Sequence, residues 1–75
     1  MDVREIREMA NEEILDEIED LKEALFRLRL QQASGQLEDE TVIRRTKRDI
    51  ARCHTVMRER QLAAVIASEE SGDGE

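Results

Sequence analysis

Apolar residues recur along this chain at helical spacing. Ile14, Ile18, Leu21, Leu25 and Leu28 follow one another at intervals of four, three, four and three, a heptad seam down one face of a helix. Ile43, Thr46, Ile50, Cys53, Met57 and Ala64 keep a matching frame, with Val65 beside it. The seams are separated by Ala33-Ser34-Gly35, where Gly35 can take the left-handed conformation that ends helices. Glu38-Asp39-Glu40 then supplies a cap and first-turn acids for the next helix. Upstream, Asp2 is placed to cap a short helix in which Val3, Ile6 and Met9 repeat every third residue. A break near Ala10 and Asn11 follows, with Asn11 the better capping residue and Glu12 and Glu13 suited to the positive end of a new helix dipole.

The pattern predicts an all-α domain over residues 1–67, with helices at about 2–9, 12–33 and 39–66. Two seams joined by about five residues imply an antiparallel, coiled-coil-like two-helix hairpin, preceded by the short N-terminal helix. Residues 68–75, Ser-Glu-Glu-Ser-Gly-Asp-Gly-Glu, hold no large apolar side chain and are expected to form a disordered acidic tail. Such a hairpin buries some ten side chains at roughly 1.5–3 kcal/mol each, which barely offsets the entropy of ordering the chain. A partner that binds the folded form would complete its stability.

Composition narrows the function classes. The 75 residues contain no proline and one aromatic, Phe26, which favours helix and disfavours strand. A chain so poor in aromatic walls is not expected to enclose a small-molecule substrate. No apolar run approaches a membrane span and no secretory signal is visible. Cys53 stands alone, so no internal disulfide forms and the chain reads as cytoplasmic. Cys53 with His54 falls short of the three or four protein ligands of a zinc site, and no phosphate loop or catalytic triad spacing is present. No cofactor, metal or catalytic residue is expected.

Charge changes the picture more. The net charge is −7, which argues at first against a nucleic-acid partner, but polyanions respond to the local field. Residues 1–26 carry ten acids and three bases, residues 27–60 nine bases and five acids, and residues 61–75 four acids and no base. With Ile43 at zero on a wheel of about 100° per residue, the apolar stripe spans roughly 280–360° and Arg44, Arg45, Arg48 and Arg52 fall between about 100° and 200°. Lys47 and Arg58 lie on one flank. Charged outer faces of helical hairpins are ordinarily just solvated, yet residues 44–58 hold six bases against the single acid Asp49. Arginine suits phosphate because its planar fork donates two parallel hydrogen bonds. The lack of aromatics removes a base-stacking platform, so the backbone and shape of folded RNA are the expected target. On these grounds RNA and simple solvation are evenly matched.

Specific blocks break the tie. Leu25-Phe26-Arg27-Leu28-Arg29 and Gln32-Ala33-Ser34-Gly35-Gln36-Leu37 resemble the turn signature of the L-twenty-nine family of bacterial large-subunit ribosomal proteins. Arg48-Asp49-Ile50-Ala51-Arg52 and Thr55-Val56-Met57-Arg58-Glu59-Arg60 resemble its third helix. Order and spacing match without a gap from about residue 4 to residue 60. The resemblance implies a mainly helical protein on the large subunit that binds large-subunit ribosomal RNA near the polypeptide exit tunnel, beside a neighbouring ribosomal protein. It implies RNA contact at Lys47, Arg48 and Arg52, at Gln36 in the turn and at Arg27 and Arg29 before it, and extends to Arg44, Arg45 and Arg58. The sequence departs from the family in Ala10, where a serine or threonine cap is common, in Cys53 and His54, and in its acidic ends. Glu13, Asp16, Glu17, Asp20 and Glu23 are expected to face solvent or a basic protein neighbour.

Leu15, Phe26 and Leu30 fall off the seam. They are expected to pack on the first helix through Val3 and Ile6; the alternative makes Phe26 and Leu30, an i, i+4 pair, a protein-contact patch. Two other functional readings compete with the structural ribosomal protein. One is a soluble helical-hairpin adaptor for protein partners. The other is an enzyme using arginines to hold a carboxylate, which would need those arginines to point inward, whereas the wheel points them outward.

Overall fold

The structure is a computed structural model and describes residues 1–73, with side chains described through Glu69. Three helices follow in order: α1 (Val3–Arg7), α2 (Asn11–Ala33) and α3 (Thr41–Asp73). α2 and α3 pack side by side as the expected antiparallel pair, and α1 lies on α3. The molecule measures 62 × 20 × 18 Å with a radius of gyration of 16.9 Å. A globular chain of this length would have a radius near 11 Å, by roughly 2.2·N^0.38 Å for N residues. It is a rod, with most of its surface in reach of a partner.

The turn is built by the chemistry of Gly35. Its φ is +75°, the left-handed region that a Cβ disfavours. Around it, Gln36 N–H donates to Gln31 C=O at 2.8 Å and Gly35 N–H to Gln32 C=O at 3.1 Å, the double closure of a Schellman motif that satisfies the last carbonyls of α2. Asp39 then starts α3: its Oδ1 accepts from Thr41 N–H at 2.9 Å and from Thr41 Oγ1 at 2.6 Å.

The seams bury as the spacing requires. Ile14, Ile18, Ile43, Thr46 and Cys53 are buried, and Leu21, Leu25, Leu28, Ile50 and Met57 are half-buried. The Thr46 hydroxyl, inside the seam, donates to Val42 C=O at 2.8 Å, so its polarity is satisfied. The main cluster joins Ile6, Ile14, Ile18, Cys53 and Val56, with Val3, Met9, Leu21 and Met57 around it. It lies near the middle of the rod, where α1 and the first half of α2 meet α3.

Several details depart from the sequence expectation. α1 packs on α3 rather than receiving Leu15, Phe26 and Leu30, which are 51%, 64% and 55% exposed; Ile6 instead meets Val56, which the seam did not include and which is fully buried. Ala64 and Val65, placed in or beside the seam, are exposed, because α3 has by then passed the start of α2. α1 spans five residues, with Asp2 capping it as expected through Oδ1 and the Arg4 N–H at 3.2 Å. Ala10, not Asn11, occupies the cap position of α2. Alanine has no side-chain acceptor to offer there; Glu13 Oε1 accepts from Ala10 N–H at 3.3 Å, and Asn11 does other work described below. The sequence places the end of the third helix near residue 66 and a tail from 68, whereas α3 extends to Asp73. Residues 74 and 75 lie outside the described residues. Among the described residues no helix is long and apolar enough to cross a membrane.

Candidate nucleic-acid interface

The half of the rod next to the turn has no α1 over it, and here the basic side chains collect. Arg27 and Arg29 sit in the last two turns of α2, Gln36 in the turn, and Arg44, Arg45, Lys47 and Arg48 in the first two turns of α3; all are exposed. Thr41, Arg44, Arg45 and Arg48 line one shallow recess, and Arg45, Arg48, Asp49 and Arg52 line the next together with Met1. Arg45 and Arg48 belong to both, so the guanidinium groups form a continuous strip along α3. Among the described residues, none of Arg27, Arg29, Arg44, Arg45, Lys47 and Arg48 makes a side-chain hydrogen bond or ion pair within the chain. Six cations with their donors uncommitted form a ready site for phosphate oxygens.

Asp39 lies close enough to this strip to feel Arg45 and Arg44. Its carboxyl is held below its ordinary pKa first by the side-chain hydrogen bond from Thr41, then by the Thr41 backbone N–H, with Arg45 and Arg44 adding attraction. It stays ionised as a helix cap, and it is spent on that task.

Two of the expected RNA-binding residues differ from these six. Arg52 Nη1 donates to the Met1 carbonyl at 2.7 Å and lies 3.5 Å from Asp49, so part of its fork is occupied in tying the N-terminal segment to α3. Arg58 lines a groove between α2 and α3 whose other walls include Leu15, Asp16, Glu19, Lys22 and His54, away from the strip. Phe26 and Leu30 are exposed on α2 near the turn, and Phe26 shares a recess with Lys22, Glu23 and Arg27.

Sequence reasoning missed Arg60. Its guanidinium donates to Asn11 Oδ1, to the Met9 carbonyl at 2.7 Å, to the Arg7 carbonyl at 3.1 Å and to the Ile6 carbonyl at 3.5 Å. One side chain thus closes the C-terminal end of α1 and the start of α2 onto α3, and Arg7 adds a 3.3 Å ion pair to Glu59. The partners are mostly backbone carbonyls, which carry no sequence signal. Cys53 is equally structural: burial pushes its thiol pKa up, helped by the charges of Glu17 and Asp49. Among the described residues no cluster of three or more His, Cys, Asp or Glu is placed to hold a metal.

A slender helical hairpin with an exposed cationic strip at its turn, and with Arg7, Arg52 and Arg60 used as internal brackets, defines a class: a small all-helical protein whose uncommitted cations suit an anionic partner. Comparison with known proteins makes the class particular. The model of the family described as Ribosomal L29 protein matches residues 4–60. The chain is similar to the large ribosomal subunit protein uL29 of Saccharopolyspora erythraea, 44% identical over 70 residues that cover 93% of this chain and 88% of that one. It is similar to uL29 of Geobacillus stearothermophilus at 53% identity, covering 85% of this chain and 97% of the other, and to that of Thermoanaerobacter pseudethanolicus at 52%, covering 83% and 90%. The chain belongs to the ribosomal L29 protein family.

Proposed function

We propose that this chain, a structural constituent of the large subunit of the cytoplasmic ribosome and not an enzyme, binds large-subunit ribosomal RNA near the polypeptide exit tunnel. The contact runs through the turn and the first half of α3. The observation that carries the reading is the strip of Arg44, Arg45, Lys47 and Arg48, exposed and without a side-chain bond or ion pair among the described residues. Arg27, Arg29 and Gln36 extend it around the turn. Arg52 contributes the part of its fork that Met1 and Asp49 leave over, and Arg58 is the outermost contact. Phe26 and Leu30, too exposed to serve the core, form the patch that meets the neighbouring ribosomal protein at the tunnel exit.

The test is incorporation. Arg44→Glu with Arg48→Glu touches no bond within the chain, so helicity should hold while incorporation into the large subunit falls. Removing one phosphate-binding arginine should lower the slope of log affinity against log salt by about one, hence by about two for the pair. A doubly substituted protein that cosediments with the large subunit as well as the wild type, at every salt concentration, would remove the strip from the RNA site.

A further inference from the structure

The outer face of α3 changes chemistry along its length. On the wheel of about 100° per residue with Ile43 at zero, Arg44 and Arg48 lie near 100° and 140°, Leu62, Val65 and Ile66 near 100°, 40° and 140°, and Glu69 near 80°. One row thus runs from arginine through leucine and isoleucine to acid. Leu62, Val65 and Ile66 are each more than half exposed, at 52%, 52% and 55%. Arg60 marks the last level at which α1 and the start of α2 are bonded to α3. The helix runs thirteen residues further, to Asp73, which is about 20 Å at 1.5 Å per residue.

Large apolar side chains at i, i+3 and i+4 on a projecting helix are a docking face in want of cover. The charge around them says what kind. Residues 61–75 hold four acids and no base, and Glu69 stands toward the C-terminal end of α3, where the helix dipole is already negative. Acids at that end weaken the helix, and cations brought to it by a partner would relieve the repulsion. RNA would be repelled. A second copy of this chain would set acid against acid. The strip also offers only a few hundred Å², against roughly 800 Å² per partner in a stable dimer.

We propose that the projecting part of α3, through Leu62, Val65 and Ile66 with Glu69 at its edge, docks a basic amphipathic segment of a neighbouring protein of the large subunit. The inference rests on the RNA-facing assignment of Arg44 and Arg48. Because the apolar residues share their row, they face the same side of the rod, Leu62 lying fourteen residues, about 21 Å, from Arg48. On that assignment this side faces the assembled particle, so the occupant is a component of the subunit. Its apolar side covers Leu62 and Ile66 while its lysines or arginines approach Glu69.

The experiment places a benzophenone photo-crosslinking residue at Val65 and, in a second protein, at Ala51, which is exposed and lies on the arginine part of the same row. Both proteins are incorporated into large subunits, irradiated, and the products mapped by mass spectrometry. Position 65 should link to a protein segment rich in lysine or arginine with apolar residues at helical spacing, and position 51 to ribosomal RNA. Glu69→Lys should lower the yield at position 65 about fivefold or more at physiological salt without changing incorporation. Leu62→Ser with Ile66→Ser should abolish it. Linkage of position 65 to RNA, to a second copy of this chain or to nothing, or a yield indifferent to both variants, overturns the docking strip. Failure of position 51 to reach RNA in incorporated protein overturns the RNA assignment instead.

Discussion

Arg60 is the residue whose loss should be felt most for its size. The informative perturbation is Arg60→Met, which keeps the aliphatic stem and removes the guanidinium. In the structure that group serves the Asn11 side chain and the Met9 and Arg7 carbonyls, at 2.7 and 3.1 Å for the latter two, with the Ile6 carbonyl at the 3.5 Å limit. Hydrogen bonds to a charged donor contribute about 1.5–3 kcal/mol each. Arg60 is only half-buried, and water can reach the released carbonyls, so the sum must be discounted to about 2–3 kcal/mol. A chain of 75 residues has roughly 4–11 kcal/mol of total stability at 0.05–0.15 kcal/mol per residue, so the loss is a large share. It should lower the melting temperature by about 10–20 °C, given about 4–8 °C per kcal/mol for domains of this size. Circular dichroism against temperature and urea measures the loss, and amide exchange locates it. Protection should fall first at Met9 and Ile14, whose N–H groups bond the Ile6 and Ala10 carbonyls in the joint. Arg60→Lys should recover less than half, since one ammonium cannot span the acceptors that a planar fork reaches. An Arg60→Met protein that melts within about 0.5 kcal/mol of the wild type, the range of an ordinary surface substitution, would refute the bracket.

Three further outcomes follow from the same geometry. Gly35→Ala should cost about 1 kcal/mol in urea unfolding, because a Cβ there meets nothing within 4 Å and only the left-handed backbone resists it; Gly35→Asn should cost less, and equal costs would contradict the argument. Cys53 should react with iodoacetamide at pH 8 at least about tenfold more slowly in the folded protein than in urea, since its thiol is buried and its pKa raised and the thiolate is the nucleophile; equal rates would show the site open. Asp39, whose pKa is lowered on folding, stabilises the start of α3 at any pH above its unfolded value. That contribution should disappear as pH falls through the folded value, seen as loss of Thr41 amide protection in acid, and Asp39→Asn should remove the pH dependence.

Much of the hairpin was legible because its signals are local and periodic. The heptad positions of α2 and the frame from Ile43 to Met57 are the buried or half-buried ones, and Gly35 was identifiable as the residue that could turn left-handed. What was not legible depends on where α1 goes. Its apolar residues fit either long helix, and only the fold shows Ile6 against Val56, which widens the buried stripe of α3 and strands Leu15, Phe26 and Leu30 in solvent. α3 runs past the end of its apolar pattern for a related reason. The end of the apolar pattern marks where packing stops, whereas a helix already nucleated continues until something breaks it, and the chain has no proline. For the candidate site, the wheel placed Arg44, Arg45 and Arg48 together, and the three share a recess in the fold. It could not show that Arg52 reaches Met1 or that Arg58 lines a groove against α2, since both depend on neighbours from other elements.

How the proposed RNA contact fits a net charge of −7 is a question of length. The molecule is 62 Å long, and at physiological ionic strength charges are screened over about 8 Å. Glu69 lies twenty-one residues beyond Arg48 on α3, about 32 Å along the helix, or some four screening lengths. The acids of the projecting end therefore subtract almost nothing from the field at the arginine strip. Of the acids of α2, Asp16 and Glu19 line the groove with Arg58 rather than the strip, and Glu19 is paired with Lys22 at 3.7 Å. Net charge is a fair guide for a globule whose radius is comparable to the screening length. On a rod it averages over regions that do not sense one another, and the charge that decides binding is that of the half next to the turn.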